Sequence, residues 1–191
     1  MPSLDYEKEK GEFTDFYNRN NLFHKKACYF IRGRLNSLFT DSYDIDAITS
    51  RIKDREACLE KFNLKYRSNL EIRNVPYTIK NYIYDLLGAR VVCLYEDDIH
   101  YISDTLSKNF CVLNIIDKIS LIESTDDQFG YKDLHIDCTL HDENKSFLGY
   151  RKHSDLKFEI QIRSIIQDAW SVLDHKIKYK KNKLDVKTKN Q

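Results

Sequence analysis

The chain lacks any C-x-x-C pair: its five cysteines, Cys28, Cys58, Cys93, Cys111 and Cys138, are odd in number and scattered. That argues against a zinc site and a disulfide framework, and it leads to the expectation of a reducing, cytoplasmic setting. A long apolar run is also missing, since none approaches the roughly 18 residues of a membrane-spanning helix. The opening stretch, Met1-Pro2-Ser3-Leu4-Asp5-Tyr6-Glu7-Lys8-Glu9-Lys10, has no apolar segment of the signal-peptide kind, so neither secretion nor membrane insertion is expected. Charge of one sign is not in excess: 31 Lys and Arg face 30 Asp and Glu, which argues neither for nor against a nucleic-acid partner. No internal repeat is visible. What is present is a hydrophobic content of 41% with 13 tyrosines and 10 phenylalanines, which excludes general disorder. At 191 residues one domain is expected, able to bury roughly 70% of the unfolded chain's surface.

Residues 4–40 read as helix, either one long helix or one broken near Asn18-Arg19-Asn20-Asn21, with Phe23, Ala27, Phe30, Ile31, Leu35 and Phe39 at helical spacing. A strand is expected near 47–53, a helix over 54–67, a loop over 68–76 and a helix over 77–86. Gly88 opens a strand over Ala89–Tyr95, and Asp97 and Asp98 stand at the N-cap and first turn of a helix reaching Asn109. Strands follow at Phe110–Ile116, Tyr131–Leu140 and 156–162, the last two separated by a turn-rich stretch. A final helix over 163–179 is expected to bury Ile165, Ile166, Ala169, Trp170, Leu173 and Ile177 and to carry Ser164, Asp168, Ser171 and His175 along its other side. This divides the chain into a helical segment (1–44), a main domain (45–180) and a basic tail without fixed structure (181–191). Strands alternating with helices imply an α/β or α+β domain with a mixed, roughly five-stranded sheet flanked by helices.

Side chains alternate along a strand. Arg51 and Lys53 therefore point one way, Tyr131 and His135 share a side, and so do Glu159, Gln161 and Arg163. Opposite them lie Ile52, then Leu134, Ile136 and Cys138, then Phe158, Ile160 and Ile162. Such a sheet has a dry face on the core and a charged face turned to a ligand. Cations with separated carboxylates on that face suit a metal-bound polyphosphate. Taken singly, most of these residues have plainer explanations: a solvated strand face for Arg51 and Lys53, packing for Tyr131, a structural role for His135. A carboxylate such as Glu159 among apolar neighbours is harder to explain plainly, because burial without a partner is costly.

Together, Arg51-Ile52-Lys53, Asp85-Leu86-Leu87-Gly88-Ala89-Arg90-Val91-Val92, Gly130-Tyr131 with His135, and Glu159-Ile160-Gln161-Ile162-Arg163 followed by Gln167-Asp168-Ala169-Trp170 and Asp174-His175-Lys176 resemble the synthetase domain of the RelA/SpoT family. The resemblance covers about residues 45–180. It implies a nucleotidyltransferase-like fold and Mg²⁺-dependent transfer of pyrophosphate from ATP to a ribose 3′-hydroxyl, making ppGpp or pppGpp and AMP. It also implies roles. Arg51 and Arg90 resemble the pair that sandwiches adenine, a use suited to planar guanidinium. Lys53 and Lys61 resemble the ATP phosphate contacts, and Asp85 and Glu159 the Mg²⁺ carboxylates and catalytic residues, with Glu159 also a candidate acceptor of the hydroxyl proton. Tyr131, His135, Gln161 and Asp168 fall on the acceptor side, Tyr131 as the stacking ring. The His141-Asp142 pair resembles the dipeptide of the family's hydrolase half, but nothing else of that half is present, and it reads as a turn.

The chain departs from the family pattern before Gly130, where Asp126 and Asp127 replace the expected lysine and asparagine. Each aspartate within ~4 Å of an acceptor phosphate would cost about 4 kcal/mol at an effective dielectric near 20, before relaxation, unless Lys132, Arg151 or Lys152 compensates. Ala57 stands where a small hydroxyl residue is common. The chain ends soon after Tyr179, where small synthetases continue into helices that build a homo-oligomer, which leaves a truncated copy or excised domain open. Three readings follow: an alarmone synthetase using GDP or GTP; a toxin-like relative acting on adenosine nucleotides or the tRNA CCA end, with Lys176, Lys178, Lys180, Lys181, Lys183, Lys187 and Lys189 near RNA phosphates; and an inactive nucleotide-binding regulatory module.

Overall fold

The computed structural model describes residues 2–40, 44–117, 133–140 and 156–188, with side chains of the last helix described as far as 177, except 175. Helices α1 (Tyr6–Arg19) and α2 (Asn21–Leu38) show that the N-terminal helix is broken, at Asn20, rather than one long helix. The Asp5 carboxylate caps α1 by accepting from the Lys8 N–H. Strand β1 (Ile45–Ile52) follows, then α3 (Arg55–Phe62), capped by Asp54. After β2 (Leu87–Cys93) come α5 (Asp98–Asn109), β3 (Cys111–Asp117), β4 (Leu134–Thr139), β5 (Lys157–Ser164) and α6 (Ile165–Thr188). The five strands lie in the order β1-β2-β5-β4-β3. Among the described strands only β2 and β5 pair in parallel.

The alternation expected of β4 and β5 is realised. Leu134, Ile136 and Cys138 on β4 and Phe158, Ile160 and Ile162 on β5 are buried with Leu87, Ala89, Val91 and Cys93 of β2. They share one core with Phe23, Ala27, Ile31 and Leu35 of α2 and Ile99, Ile102 and Leu106 of α5. Helix α2 of the N-terminal segment therefore packs into the same core as the sheet. A second, smaller core gathers Phe13, Cys58, Leu59, Phe62, Tyr77, Ile79, Ile83 and Leu86 beside it. No helix among the described residues is long and apolar enough to cross a membrane.

Some expectations are corrected. The helix after β1 does not stop at 67. It passes through a π turn (Asn63–Arg67) into α4 (Ser68–Ile72). The end is a Schellman closure: Val75 N–H donates to the Leu70 carbonyl and Asn74 N–H to that of Glu71, with Asn74 at φ 54°. Residues 77–86 are not a helix, and only Ile79–Tyr82 make a 3₁₀ turn. Tyr77 is tied into a two-way backbone pairing with Ser3, which holds the chain extended before the turn. Asp97 precedes α5 but makes no side-chain cap.

Helix α6 is reversed relative to expectation. Ile166, Trp170, Leu173 and Ile177 face outward, 77%, 48%, 53% and 55% exposed, while Gln167, Asp168 and Ser171 turn to the sheet. The sheet face beneath is charged, so it selects the polar side of the helix. Ser164 and Gln167 close its start as a capping box, each accepting from the other's backbone N–H. The helix also continues through Thr188, past the expected end at 179, in a stretch rich in helix-compatible lysine and free of glycine and proline.

Candidate active site

Strand register lines up the polar face in rows. Arg51, Gly88, Glu159, Asp137 and Asn114 are successive cross-strand partners, and Thr49, Arg90, Gln161 and His135 form the next row. Gly88 supplies no side chain to its row. The Arg51 side chain lies over that gap, 3.8 Å from where a Cβ would stand. A cleft of about 950 Å³ opens above these rows, lined by Arg51, Lys53, Lys61, Asp85, His135, Asp137, Glu159 and Gln161 together with residues of α3, the π turn and β3.

One wall is built around Asp85, just before β2. Lys53 follows β1, where its N–H bonds the Leu86 carbonyl and Tyr17 Oη holds its carbonyl. Its Nζ donates to Asp85 Oδ2 at 2.6 Å. From α3, Lys61 Nζ approaches Asp85 Oδ1 at 2.9 Å. Burial pushes the Asp85 carboxyl upward, but the two ammonium groups outweigh it and hold the group below its ordinary range. Lys61 is opposed by burial and rescued by the same pairing, so it stays charged.

The facing wall is Glu159. Its Oε1 accepts from Gln161 Nε2 at 2.7 Å, and its Oε2 lies 3.0 Å from His135 Nδ1. The other His135 nitrogen bonds Asp133. Burial works against a charged His135, yet the two carboxylates prevail and raise its pKa to about 9. Held by that imidazolium and by Gln161 against the upward push of burial, Glu159 lies below its ordinary range. Asp137 is moved the other way, upward, first by burial and then by Glu159.

The donor set suits a hard divalent cation. Asp85 and Glu159 are both ionised and both border the cleft, and Glu159 feels the charge of Asp85. Among the described residues no cluster of three or more His, Cys, Asp or Glu side chains is placed to hold a metal. Mg²⁺ commonly takes one or two carboxylates and completes its shell with water and substrate phosphate, so two carboxylates fit. Buried thiols offer no competing chemistry: burial pushes Cys58 up to about 12 and Cys93 up to about 11.

Comparison with known proteins agrees. Residues 50–184 match the family described as "Region found in RelA / SpoT proteins". The chain belongs to the RelA/SpoT family. It is 32% identical over 138 residues to GTP pyrophosphokinase YwaC of Bacillus subtilis (strain 168), a match covering 72% of this chain and 60% of YwaC. It is 27% identical over 142 residues to GTP pyrophosphokinase YjbM of the same organism, covering 73% of this chain and 59% of that relative. The chain thus spans less than two thirds of the length of these relatives. The crystal structure of small alarmone synthetase 1 from Bacillus subtilis superposes with a TM-score of 0.68 at 25% identity, over 88% of this chain and 81% of that one. The mixed five-stranded sheet with flanking helices is the small alarmone synthetase fold.

In this RelA/SpoT chain the structure brings Arg51, Lys53, Lys61, Asp85, His135, Glu159 and Gln161 to one cleft. Arg90 and Asp168 share the polar face but bond each other at 2.8 Å outside the cleft lining. Tyr131 lies outside the described residues, as do Asp126, Asp127, Lys132, Arg151, Lys152 and the His141-Asp142 pair. Asp137, Asn114, Lys157 and Tyr84 also line the cleft and were not foreseen. The Lys157 ammonium sits 4.1 Å from the Tyr84 ring centroid. Asp137 and Lys157 carried a usable signal, being in step with His135 and with Glu159 along their strands.

The charged His135 has a consequence for stability. Its folded pKa is raised above the ordinary value, so its contribution is fully present below about pH 6.5 and is lost as pH rises through about 9. Denaturant unfolding between pH 7 and 10 should show that loss, and His135→Gln should flatten it. An equal slope in the variant would remove His135 as the cause.

Proposed function

We propose that this chain catalyses Mg²⁺-dependent transfer of pyrophosphate from ATP to the ribose 3′-hydroxyl of GDP or GTP, giving ppGpp or pppGpp and AMP. The observation that carries the reading is the cleft in which the Lys53–Asp85–Lys61 cluster stands opposite Glu159 held between His135 and Gln161. The GTP pyrophosphokinase names of two relatives support it.

Asp85 and Glu159 would hold Mg²⁺, which supplies charge neutralisation and alignment for the triphosphate. Lys53 and Lys61 exchange part of their hold on Asp85 for phosphate oxygens. The 3′-oxygen bonds to the β-phosphorus, the bond from that phosphorus to the α–β bridging oxygen breaks, and AMP leaves with the oxygen. Glu159 accepts the hydroxyl proton. Its lowered proton affinity keeps it ionised at neutral pH, in exchange for weaker basicity. Arg51 and Arg90 grip adenine: they are diagonal neighbours on adjacent strands, and such positions lie about 7–8 Å apart, room for a ring between two guanidinium planes. Tyr131, His135, Gln161 and Asp168 serve the acceptor. The free cysteines support a cytoplasmic setting, and the outward apolar stripe of α6 supports a homo-oligomer.

The test of the acceptor is a competition among GDP, GTP, ADP and deacylated tRNA with γ-labelled ATP. Label on GDP or GTP is expected, and Tyr131→Ala should weaken acceptor use with little change toward ATP. Label confined to ADP or tRNA would assign the chain to the toxin-like reading instead.

A further inference from the structure

Side chains of β4 and β5, with Asp133 just before β4, close a ring upon Glu159. Gln161 Nε2 donates to one Glu159 oxygen, and Gln161 Oε1 in turn accepts from Arg163 Nη2 at 2.8 Å. The same Nη2 donates to Asp133 Oδ2 at 3.1 Å. Asp133 Oδ2 also bonds His135 Nε2, and His135 Nδ1 reaches the other Glu159 oxygen. Asp133 is fully buried and Arg163 2% exposed, so a charged pair lies under the site. Each carboxylate oxygen of Glu159 is therefore held by a group that is itself held by Asp133, Arg163 or both. Through Nη1, Arg163 further reaches Ser171 at 3.0 Å and Asp168 at 3.3 Å, and Asp168 grips Arg90.

We propose that Asp133 and Arg163 are positioning residues that fix His135 and Gln161, and through them the orientation of Glu159, while tying that carboxylate to the Arg90 side of the site. This rests on the pyrophosphate-transfer reading. A buried ion pair is a costly way to add stability. Its value here is direction: a planar guanidinium fork and a carboxylate impose fixed angles on two neighbours at once. The inference concerns groups that need not touch substrate. Supporting shells of this kind typically change activity by about 10- to 100-fold when altered.

Asp133→Asn keeps the shape and removes the anion that orients His135. The expected result is a folded protein whose kcat falls about 10- to 100-fold with KM for ATP unchanged within about twofold. Because Asp133 acts through His135, adding Asp133→Asn to His135→Asn should cost nothing further. Removing the carboxylate beside the buried Arg163 lowers the melting temperature under either role, whereas only a purely structural role would multiply with the His135 loss. Near-unchanged kcat in Asp133→Asn, or multiplicative losses in the double variant, would overturn the proposal. Should the unsubstituted protein transfer no pyrophosphate, the function reading fails separately, and a crystal structure of Asp133→Asn then decides. The His135 ring turned away from Glu159 supports the positioning role, and the ring unmoved overturns it.

Discussion

Glu159→Gln should leave a folded, ATP-binding protein whose turnover has dropped about 10³-fold. The substitution keeps size and planarity but removes the charge on which the site converges. Glu159 sits at the centre of the polar face, between Gly88 of β2 and Asp137 of β4 in the strand register. Its neighbours His135 and Gln161 both donate to it, an arrangement that an amide satisfies poorly because one end of the amide is itself a donor. Under the proposed function two roles would vanish together: an anionic oxygen ligand for a divalent cation, and an acceptor for the hydroxyl proton. The fold survives because the apolar side of β5, Phe158, Ile160 and Ile162, is untouched and wholly buried. Single-turnover rates with pre-bound ATP separate chemistry from binding. Retention of more than about a tenth of the activity would be incompatible with a transition-state role of this size.

Asp85→Asn should lower turnover about 10²- to 10³-fold and demand more Mg²⁺. Here the geometry gives a distinct signature. In the intact chain Asp85 neutralises two lysines at 2.6 and 2.9 Å, so its removal leaves two ammonium groups facing the cleft. Apparent ATP affinity measured without metal should therefore be unchanged or improved, while metal-dependent turnover collapses. These pairs border an open cleft that water can enter, so a modest stability loss is expected rather than the 3–5 kcal/mol typical of an orphaned, fully buried charge. Initial rates across a Mg²⁺ series read the effect. A variant with wild-type Mg²⁺ dependence would move the metal role away from Asp85.

Much of this was legible in the chain because strands announce themselves through alternation. Phe158, Ile160 and Ile162 against Glu159, Gln161 and Arg163 located the core and the polar face that borders the cleft, and β4 followed the same rule. Legibility failed where a side chain's partner comes from elsewhere. The apolar stripe of α6 pointed to a buried face, yet Arg90 and Arg163 recruit Asp168 and Ser171 and turn the stripe outward. Residues 77–86 read as a helix, but the pairing of Tyr77 with Ser3 fixes extended backbone at its start. Asp133 and Asp137 were in step with His135, but their importance rests on cross-strand neighbours. A register that places Glu159 beside Asp137 and Gln161 beside His135 is not written in any one segment.

Pyrophosphate transfer is tested most directly by following both distal phosphates of ATP at once. The protein would be given ATP labelled at the β position or at the γ position, with GDP or GTP in Mg²⁺ buffer and Glu159→Gln as the blank. The account predicts that both labels move to the guanine nucleotide in equal amounts and that AMP accumulates one for one. Transfer of the γ label alone with formation of ADP, or no transfer by a protein shown to bind ATP, would contradict it.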